Sequence, residues 1–159
     1  MVDQVLKLTF KLDPNENYLP AQNVAIYPRN SMSKVQRALK LVKADPLAMF
    51  EPVSKQDLKY PKGITVKTLF THFLDLNGVI KASTLKKLAA NDITLSQSQN
   101  FQNLLKNKNI RNEYIKVKKN VLDLIEEFKI DLDVHKFVLV CSSIKVIYTK
   151  IILIIKINK

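Results

Sequence analysis

Glycine is almost absent from the sequence, which has only Gly63 and Gly78 among 159 residues. Neither of them lies between a strand pattern and a helix pattern, where the backbone of a glycine-rich loop would wrap a phosphate group. The sequence therefore excludes the common glycine-rich phosphate loops.

Cysteine is scarcer still, because Cys141 is the single thiol. One thiol cannot form an internal disulfide, and only His72 and His135 could join it as ligands of a zinc site. The first residues, MVDQVLKLTFKL, also lack the continuous apolar run of a secretion signal. We therefore expect no metal centre and a cytoplasmic location.

Arginine is the third scarcity. The net charge of +12 comes mainly from lysine, since Arg29, Arg37 and Arg111 are the only arginines. Arginine reads base edges and grips phosphates better than lysine does. The charge alone is therefore weak support for a nucleic-acid partner, and none is expected.

Two short strands are predicted near the N-terminus. Leu6, Leu8, Phe10 and Leu12 alternate with polar residues, which is the period of a strand with one buried face. After the turn residues DPNEN, a second apolar run, NVAIY, ends at Pro28. Because a lone hairpin is only marginally stable, both strands are expected to belong to a larger sheet.

Helical periodicity replaces the strand pattern after Pro28, so that residues 33–128 are predicted to be mainly helical. Five helices are predicted. The first is capped by Ser31 or Ser33 and stopped by Asp45-Pro46, and the second is capped by Thr65 and ends at Asn77-Gly78. They are followed by a short helix capped by Ser83, a polar helix near Phe101, Leu104 and Leu105, and a long helix with a single apolar stripe from Tyr114 to Phe128.

The stretch YLPAQNVAIYPRN resembles the start of the FAD domain of the diflavin reductases, the family of NADPH-haemoprotein reductases and sulfite reductase flavoproteins. In that family an early Tyr-x-Pro-Gly-Asp precedes an apolar strand that ends in Tyr-Pro, with an Asn shortly after. The later helical segments keep the family's order up to about Asp133. The matching positions of the first stretch are Tyr18, Pro20, Asn23, Val24, Ala25, Tyr27, Pro28 and Asn30.

The resemblance implies an α+β, mainly helical fold. Residues 1–30 would form short strands of an incomplete antiparallel FAD-binding barrel, with Tyr27 packed at its rim. Residues 31–133 would form the helical connecting subdomain, and residues 134–159 a divergent tail.

Two departures from the family pattern bear on function. The family's Gly-Asp pair is Ala21-Gln22 here. After its last connecting helix the family has an Arg-x-Tyr-Ser motif, whose Arg grips the FAD pyrophosphate and whose Tyr stacks on the flavin, and later a nicotinamide domain. This sequence leaves the pattern near Asp133 and contains neither, which implies a truncated FAD domain.

The divergent tail admits three interpretations. Lys145 and Lys150 interrupt its apolar residues, which argues against a membrane span of about 20 apolar residues. Its Val, Ile, Tyr and Thr content suits a pair of strands. Its isoleucine and lysine content is also typical of a translated AT-rich intron or a gene-model error, and the sequence favours this third interpretation.

The resemblance also implies a function. The chain would be a fragment of an NADPH-dependent FAD/FMN oxidoreductase that passes electrons from NADPH through FAD to FMN and a haem or other acceptor. FMN and NADPH would bind to other domains, and the FMN domain and the acceptor would be its partners. The alternative is a non-catalytic helical interaction module that kept the fold and lost the flavin site.

The family also suggests the site. A basic residue at the start of its last connecting helix can reach the FAD phosphates, and Lys118 and Lys119 occupy that position. They are the cofactor-binding candidates, with solvated charge as the alternative interpretation. No catalytic residue is predicted, because the carboxylates Asp75, Asp123, Glu126 and Glu127 lack a partner histidine. The chain alone is expected not to bind FAD tightly.

Overall fold

The computed structural model describes residues 23–53 and 59–150. Eight helices occur in this part of the chain: α1 (Met32–Leu41), α2 (Val66–His72), α3 (Ala82–Asn91), α4 (Ile93–Gln97), α5 (Gln99–Lys106), α6 (Lys108–Lys116), α7 (Val121–Glu127) and α8 (Val134–Val140). The strands described are β1 (Asn23–Ile26), β2 (Met49–Phe50), β3 (Ile64–Thr65), β4 (Leu74–Asp75), β5 (Ser142–Ser143) and β6 (Ile147–Lys150). The mainly helical α+β fold is thus confirmed.

The described residues fall into two compact units, a strand pair and a helical unit of Tyr27–Val146. In the strand pair, β1 and β6 run antiparallel, with Asn23 opposite Lys150 and Ile26 opposite Ile147. The predicted strand at NVAIY is confirmed, and residues 147–150 of the tail adopt the strand conformation of one interpretation. The strand predicted at residues 6–12 lies outside the described residues.

The helical unit is held by one apolar core. Each helix except α6 contributes fully buried side chains to it. Two aromatic pairs join distant segments within this core, Phe70 to Phe137 with ring centroids 5.1 Å apart and Phe101 to Phe128 with centroids 5.2 Å apart. The two-residue strands form two antiparallel pairs, β2 with β3 and β4 with β5.

The helical unit includes α8, although sequence analysis ended the helical subdomain at residue 133. Asp133 caps α8, because its side chain accepts a hydrogen bond from the Lys136 amide. The helix then buries Phe137, Val138 and Val140 in the core. The first part of the tail is therefore packed as tightly as the helices before it.

Helix α2 is shorter than predicted. Thr65 caps it as expected, but it ends at His72 and not at Asn77-Gly78. The cause is Asn30, whose buried side-chain amide donates to the carbonyl oxygens of Phe70, at 2.7 Å, and Leu74, at 2.6 Å. Since the Phe70 carbonyl is already engaged, Leu74 is released into strand β4 and pairs with Ser143.

The long helix predicted through Tyr114 and Phe128 is wrong as well, because a turn divides it into α6 and α7. Lys118 adopts a left-handed conformation with φ of 56°. Asn120 then caps α7 in a reciprocal capping box with Asp123. These local hydrogen bonds start a new helix at Val121, although the apolar period continues through the turn. Val117 of the predicted stripe is consequently 66 % exposed.

Two smaller predictions also fail. Helix α3 begins at Ala82 with Lys81 at its N-cap position, so Ser83 lies inside the first turn and does not cap it. Tyr27 follows strand β1 and is 75 % exposed, so it is not packed as a strand residue.

Replacing Asn30 with alanine should lower the free energy of unfolding by about 2–3 kcal/mol, because it leaves two buried carbonyl oxygens without their donor. Urea denaturation followed by far-UV circular dichroism measures this loss. The control is Asn109→Ala on the exposed surface of α6, which should change stability by less than about 0.5 kcal/mol. Equal effects of the two substitutions would contradict the role of Asn30.

Candidate cofactor-binding cleft

The turn between α6 and α7 brings both predicted lysines into one cleft of about 340 Å³. The turn supplies Lys118, Lys119 and Asn120, and the end of α6 supplies Ile115. Segments distant in sequence complete the lining. The full set is Lys34, Asn77, Val79, Ile115, Lys118, Lys119 and Asn120. No carboxylate lines this cleft in the part of the chain that the structure describes, so its field is positive.

Lys118 contributes an available charge. Its side chain is exposed, and no ion pair involves it among residues 23–53 and 59–150. Its backbone occupies the position after the C-cap of α6, where the Lys119 amide bonds to the Tyr114 carbonyl oxygen at 2.9 Å. Glycine is usual at this position because the backbone is left-handed there, and Lys118 adopts the same conformation.

Lys119 is committed to other groups. Its Nζ lies 2.6 Å from Glu127 Oε2 and 4.3 Å from the centre of the Tyr114 ring. The Tyr114 hydroxyl donates to the other oxygen of the same carboxylate at 2.5 Å. Lys119 therefore ties the end of α6 to α7, and its charge is largely matched.

The pKa values of this cluster follow from these contacts. Partial burial and the hydrogen bond to Glu127 raise the pKa of Tyr114 to about 12. Burial would raise the pKa of Glu127, but the hydrogen bonds from Lys119 and Tyr114 outweigh it and hold the pKa below its ordinary value. Glu127 is therefore ionised at neutral pH and pairs with Lys119.

Three amide groups at the start of α7 are already engaged in its capping box. The Asn120 side-chain oxygen accepts from the Leu122 amide at 2.9 Å and the Asp123 amide at 3.4 Å. The Asp123 carboxylate in turn accepts from the Asn120 amide at 2.7 Å. An anion in the cleft must therefore be held by the lysine ammonium groups.

Sequence analysis did not place Lys34 and Asn77 in the cleft. Lys34 enters from α1, and its Nζ donates to the side-chain oxygen of Asn77. The side-chain amide group of Asn77 donates to the side-chain oxygen of Asn30 at 3.3 Å. Lys34 is far from Lys118 in sequence and lies in a different helix, so no motif or spacing could have joined them.

The four carboxylates that sequence analysis set aside accept hydrogen bonds from neighbouring groups. Arg37 of α1 binds Asp123 at 2.8 Å and Glu126 at 2.5 Å, which ties α1 to α7. Asp75 accepts from the Asn77 amide at 3.1 Å. With Glu127 on Lys119, these groups are engaged in structural contacts.

A second, mostly apolar cavity of about 640 Å³ lies elsewhere in the helical unit. Tyr60 and Ser143 line it, with the Tyr60 hydroxyl 3.3 Å from the Ser143 hydroxyl. Neither predicted cofactor-binding lysine reaches it. Within the described ranges, no three possible metal ligands cluster, and no helix has the length and apolar character that crossing a membrane requires.

Comparison with known families identifies the class. Residues 5–146 match the family described as FAD binding domain, and the chain belongs to this family. This agrees with the resemblance of YLPAQNVAIYPRN to the start of the FAD domain of the diflavin reductases. A search of the curated proteins finds no match to it. The match extends to Val146, so the family pattern does not end near Asp133 as predicted.

The cleft fits one part of the cofactor that this family implies. Its ammonium groups, without a carboxylate among them, suit the two phosphates of FAD. The flavin ring needs an aromatic partner, which the family takes from its Arg-x-Tyr-Ser motif. No arginine follows Arg111 in this sequence, so that motif is not among its residues.

Arg37→Gln should lower the free energy of unfolding by about 1 kcal/mol at pH 7, since two partly exposed carboxylates lose their partner. Arg37 holds the pKa of Glu126 down, and together with the Asn120 amide it outweighs the effect of burial on the pKa of Asp123. The ion pair therefore stabilises the fold above the unfolded pKa of about 4, and this stability is lost as the pH falls through the lowered folded pKa.

Denaturation of both proteins between pH 7 and pH 3 tests this expectation, and the difference between them should shrink below about pH 4. Lys43→Gln is the control, because its ion pair with Asp131 is highly exposed and should contribute little. A difference that is independent of pH would show that Arg37 acts through packing alone.

Lys118→Gly should raise the free energy of unfolding by about 0.5–1 kcal/mol, because glycine adopts the left-handed conformation without a Cβ clash. Lys129→Gly is a matched control, since Lys129 has a φ of 50° after α7 and lies outside the cleft. Urea denaturation should show the same gain for both. A loss for Lys118→Gly alone would mean that the Lys118 side chain stabilises the fold.

Proposed function

We propose that this chain is the FAD-domain segment of an NADPH-dependent diflavin oxidoreductase of the cytoplasm. In that function electrons pass from NADPH through FAD to FMN, bound in a partner domain, and then to a haem or other acceptor. The match of residues 5–146 to the FAD binding domain family carries the proposal. The lysine cleft, whose ammonium groups suit phosphate, supports it.

The chain's own residues would bind and position the cofactor. FAD, when bound, supplies the chemistry that accepts a hydride and releases electrons singly. Lys118 would hold a phosphate as a point charge, because an ammonium group lacks the two-pronged geometry of arginine. Lys119, through Glu127 and Tyr114, would keep the turn in place, and the helical unit would set the orientation of the partner domain.

The chain alone should bind FAD weakly and should not oxidise NADPH. Solvated ammonium groups contribute little affinity in water, and the aromatic stack on the flavin is missing. Titration of the 159-residue chain with FAD, followed by flavin fluorescence, should show no saturable quenching at micromolar concentrations. Saturable quenching that Lys118→Gly weakens would show that the chain has a complete flavin site.

The transcript tests the function most directly. The helical unit packs up to Val146, so the mature message should depart from the given sequence only after that residue. We expect it to continue into the Arg-x-Tyr-Ser and nicotinamide-binding motifs. A mature message that ends after Lys159 would overturn the reductase proposal and favour the non-catalytic helical module.

A further inference from the structure

Lys34 is an unexpected third lysine in the cleft. It lies in the first turn of α1, where a positive charge is unfavourable for the helix, because the helix dipole places its positive end there. Its ammonium group contacts the Asn77 side-chain oxygen, which is neutral, so its charge is not cancelled. This placement costs the helix some stability and leaves a charge available to an anion.

Asn77 is itself held in place. Its amide group donates to Asn30, which is only 3 % exposed and bound to two carbonyl oxygens of the helical unit. A chain of hydrogen bonds thus leads from the buried amide of Asn30 through Asn77 to Lys34. The flexible lysine is therefore oriented by Asn77, whose side chain is held by a part-buried hydrogen bond to the fixed side chain of Asn30.

We propose that Lys34 is a second phosphate-binding residue, which acts with Lys118 on a diphosphate group, and that Asn77 is its positioning residue. The proposal rests on the proposed function in taking FAD as the source of the diphosphate. Lys34 enters the cleft from α1 and Lys118 from the turn before α7, so two elements share the anion.

The size and lining of the cleft favour a diphosphate over a whole dinucleotide. Its volume of about 340 Å³ is near the lower end of the roughly 300–1,000 Å³ typical of ligand pockets. Lys119 is neutralised by Glu127, whereas Lys34 and Lys118 have no ion pair among residues 23–53 and 59–150. Two separate cations suit a group with a negative charge on each of two phosphorus centres.

Titration of inorganic pyrophosphate with the full chain at low ionic strength, followed by ³¹P NMR, tests the subsite. The wild-type chain should show saturable binding, and Lys34→Gln and Lys118→Gln should each weaken it about threefold or more. Lys67→Gln is the matched control, because it removes one exposed lysine charge outside the cleft. It should change the dissociation constant by less than about 1.5-fold, the effect of net charge alone.

Absence of saturable binding by the wild-type chain, or an equal effect of all three substitutions, would overturn the proposal. Competition then identifies the source of the diphosphate. FAD should displace pyrophosphate and riboflavin, which has no phosphate, should not. Weakened pyrophosphate binding in the two variants without displacement by FAD would uphold the phosphate subsite and reject FAD as its ligand, whereas the transcript tests the proposed function separately.

The positioning role of Asn77 has its own test. Asn77→Ala should weaken pyrophosphate binding in the wild-type background and have no further effect in Lys34→Gln, because the proposed role of Asn77 is to orient Lys34. Urea denaturation of each variant checks that the fold persists. Equal effects of Asn77→Ala in both backgrounds would show that Asn77 acts independently of Lys34.

Discussion

The buried side chain of Asn30 is the contact on which the arrangement of the helical unit depends. Its amide nitrogen donates to the Phe70 and Leu74 carbonyl oxygens, and its backbone amide donates to the Thr71 carbonyl oxygen at 2.9 Å. These bonds satisfy the end of α2 and release the next residues into strand β4. Because Asn77 lies two residues beyond the end of β4 and donates to the Asn30 side chain, the same side chain also positions one wall of the cleft.

The basic residues in and beside the cleft differ in whether they form ion pairs. Arg37 and Lys119 are paired with carboxylates of α7 and hold helices together. Lys34 and Lys118 face a cleft without carboxylates and contact only neutral groups in the part of the chain described. A net charge of +12 would by itself suggest a diffuse attraction for anions. The two cleft lysines differ from other exposed lysines, such as Lys67, because they line a concave site that no carboxylate of the described residues lines.

The scarcity of glycine has a structural counterpart. Helices α1, α6 and α7 each end with a lysine in the left-handed conformation, at Lys43, Lys118 and Lys129. Glycine is usual at this position, because a side chain there costs about 1 kcal/mol or more. The fold accepts this cost three times, and at Lys118 the result is an ammonium group at the rim of the cleft.

Much of the fold could be predicted from the sequence, because helix starts and apolar periods are local signals. Thr65 capped α2 as predicted, and α5 lies where its periodicity placed it. Helix α1 has its predicted apolar face, but it ends at Leu41, before Asp45-Pro46, and the Ser31 side chain at its N-cap position makes no capping hydrogen bond. The errors arose where a distant group intervened, as Asn30 does at the end of α2. At Asn120 a local capping box starts a new helix, although the apolar stripe continues across this position without a break.

The candidate site was only half predictable. Lys118 and Lys119 came from family resemblance, but their different roles depend on Glu127 and Tyr114, whose contacts appear only in three dimensions. Lys34 and Asn77 belong to the cleft through a tertiary network that no sequence pattern records. When a site is built from three separate segments, its charged residues can be identified in the sequence, but the groups that they contact cannot.

In the proposed subsite, Asn30, Asn77 and Lys34 form one connected support for a phosphate group. Its most direct test is a chemical-shift map of the ¹⁵N-labelled chain during addition of inorganic pyrophosphate. The side-chain amide signals of Asn30 and Asn77 should move together with the backbone signals of Lys34 and Lys118, along one binding curve. Shifts spread over lysines throughout the surface, with the two asparagine side chains unmoved, would contradict it.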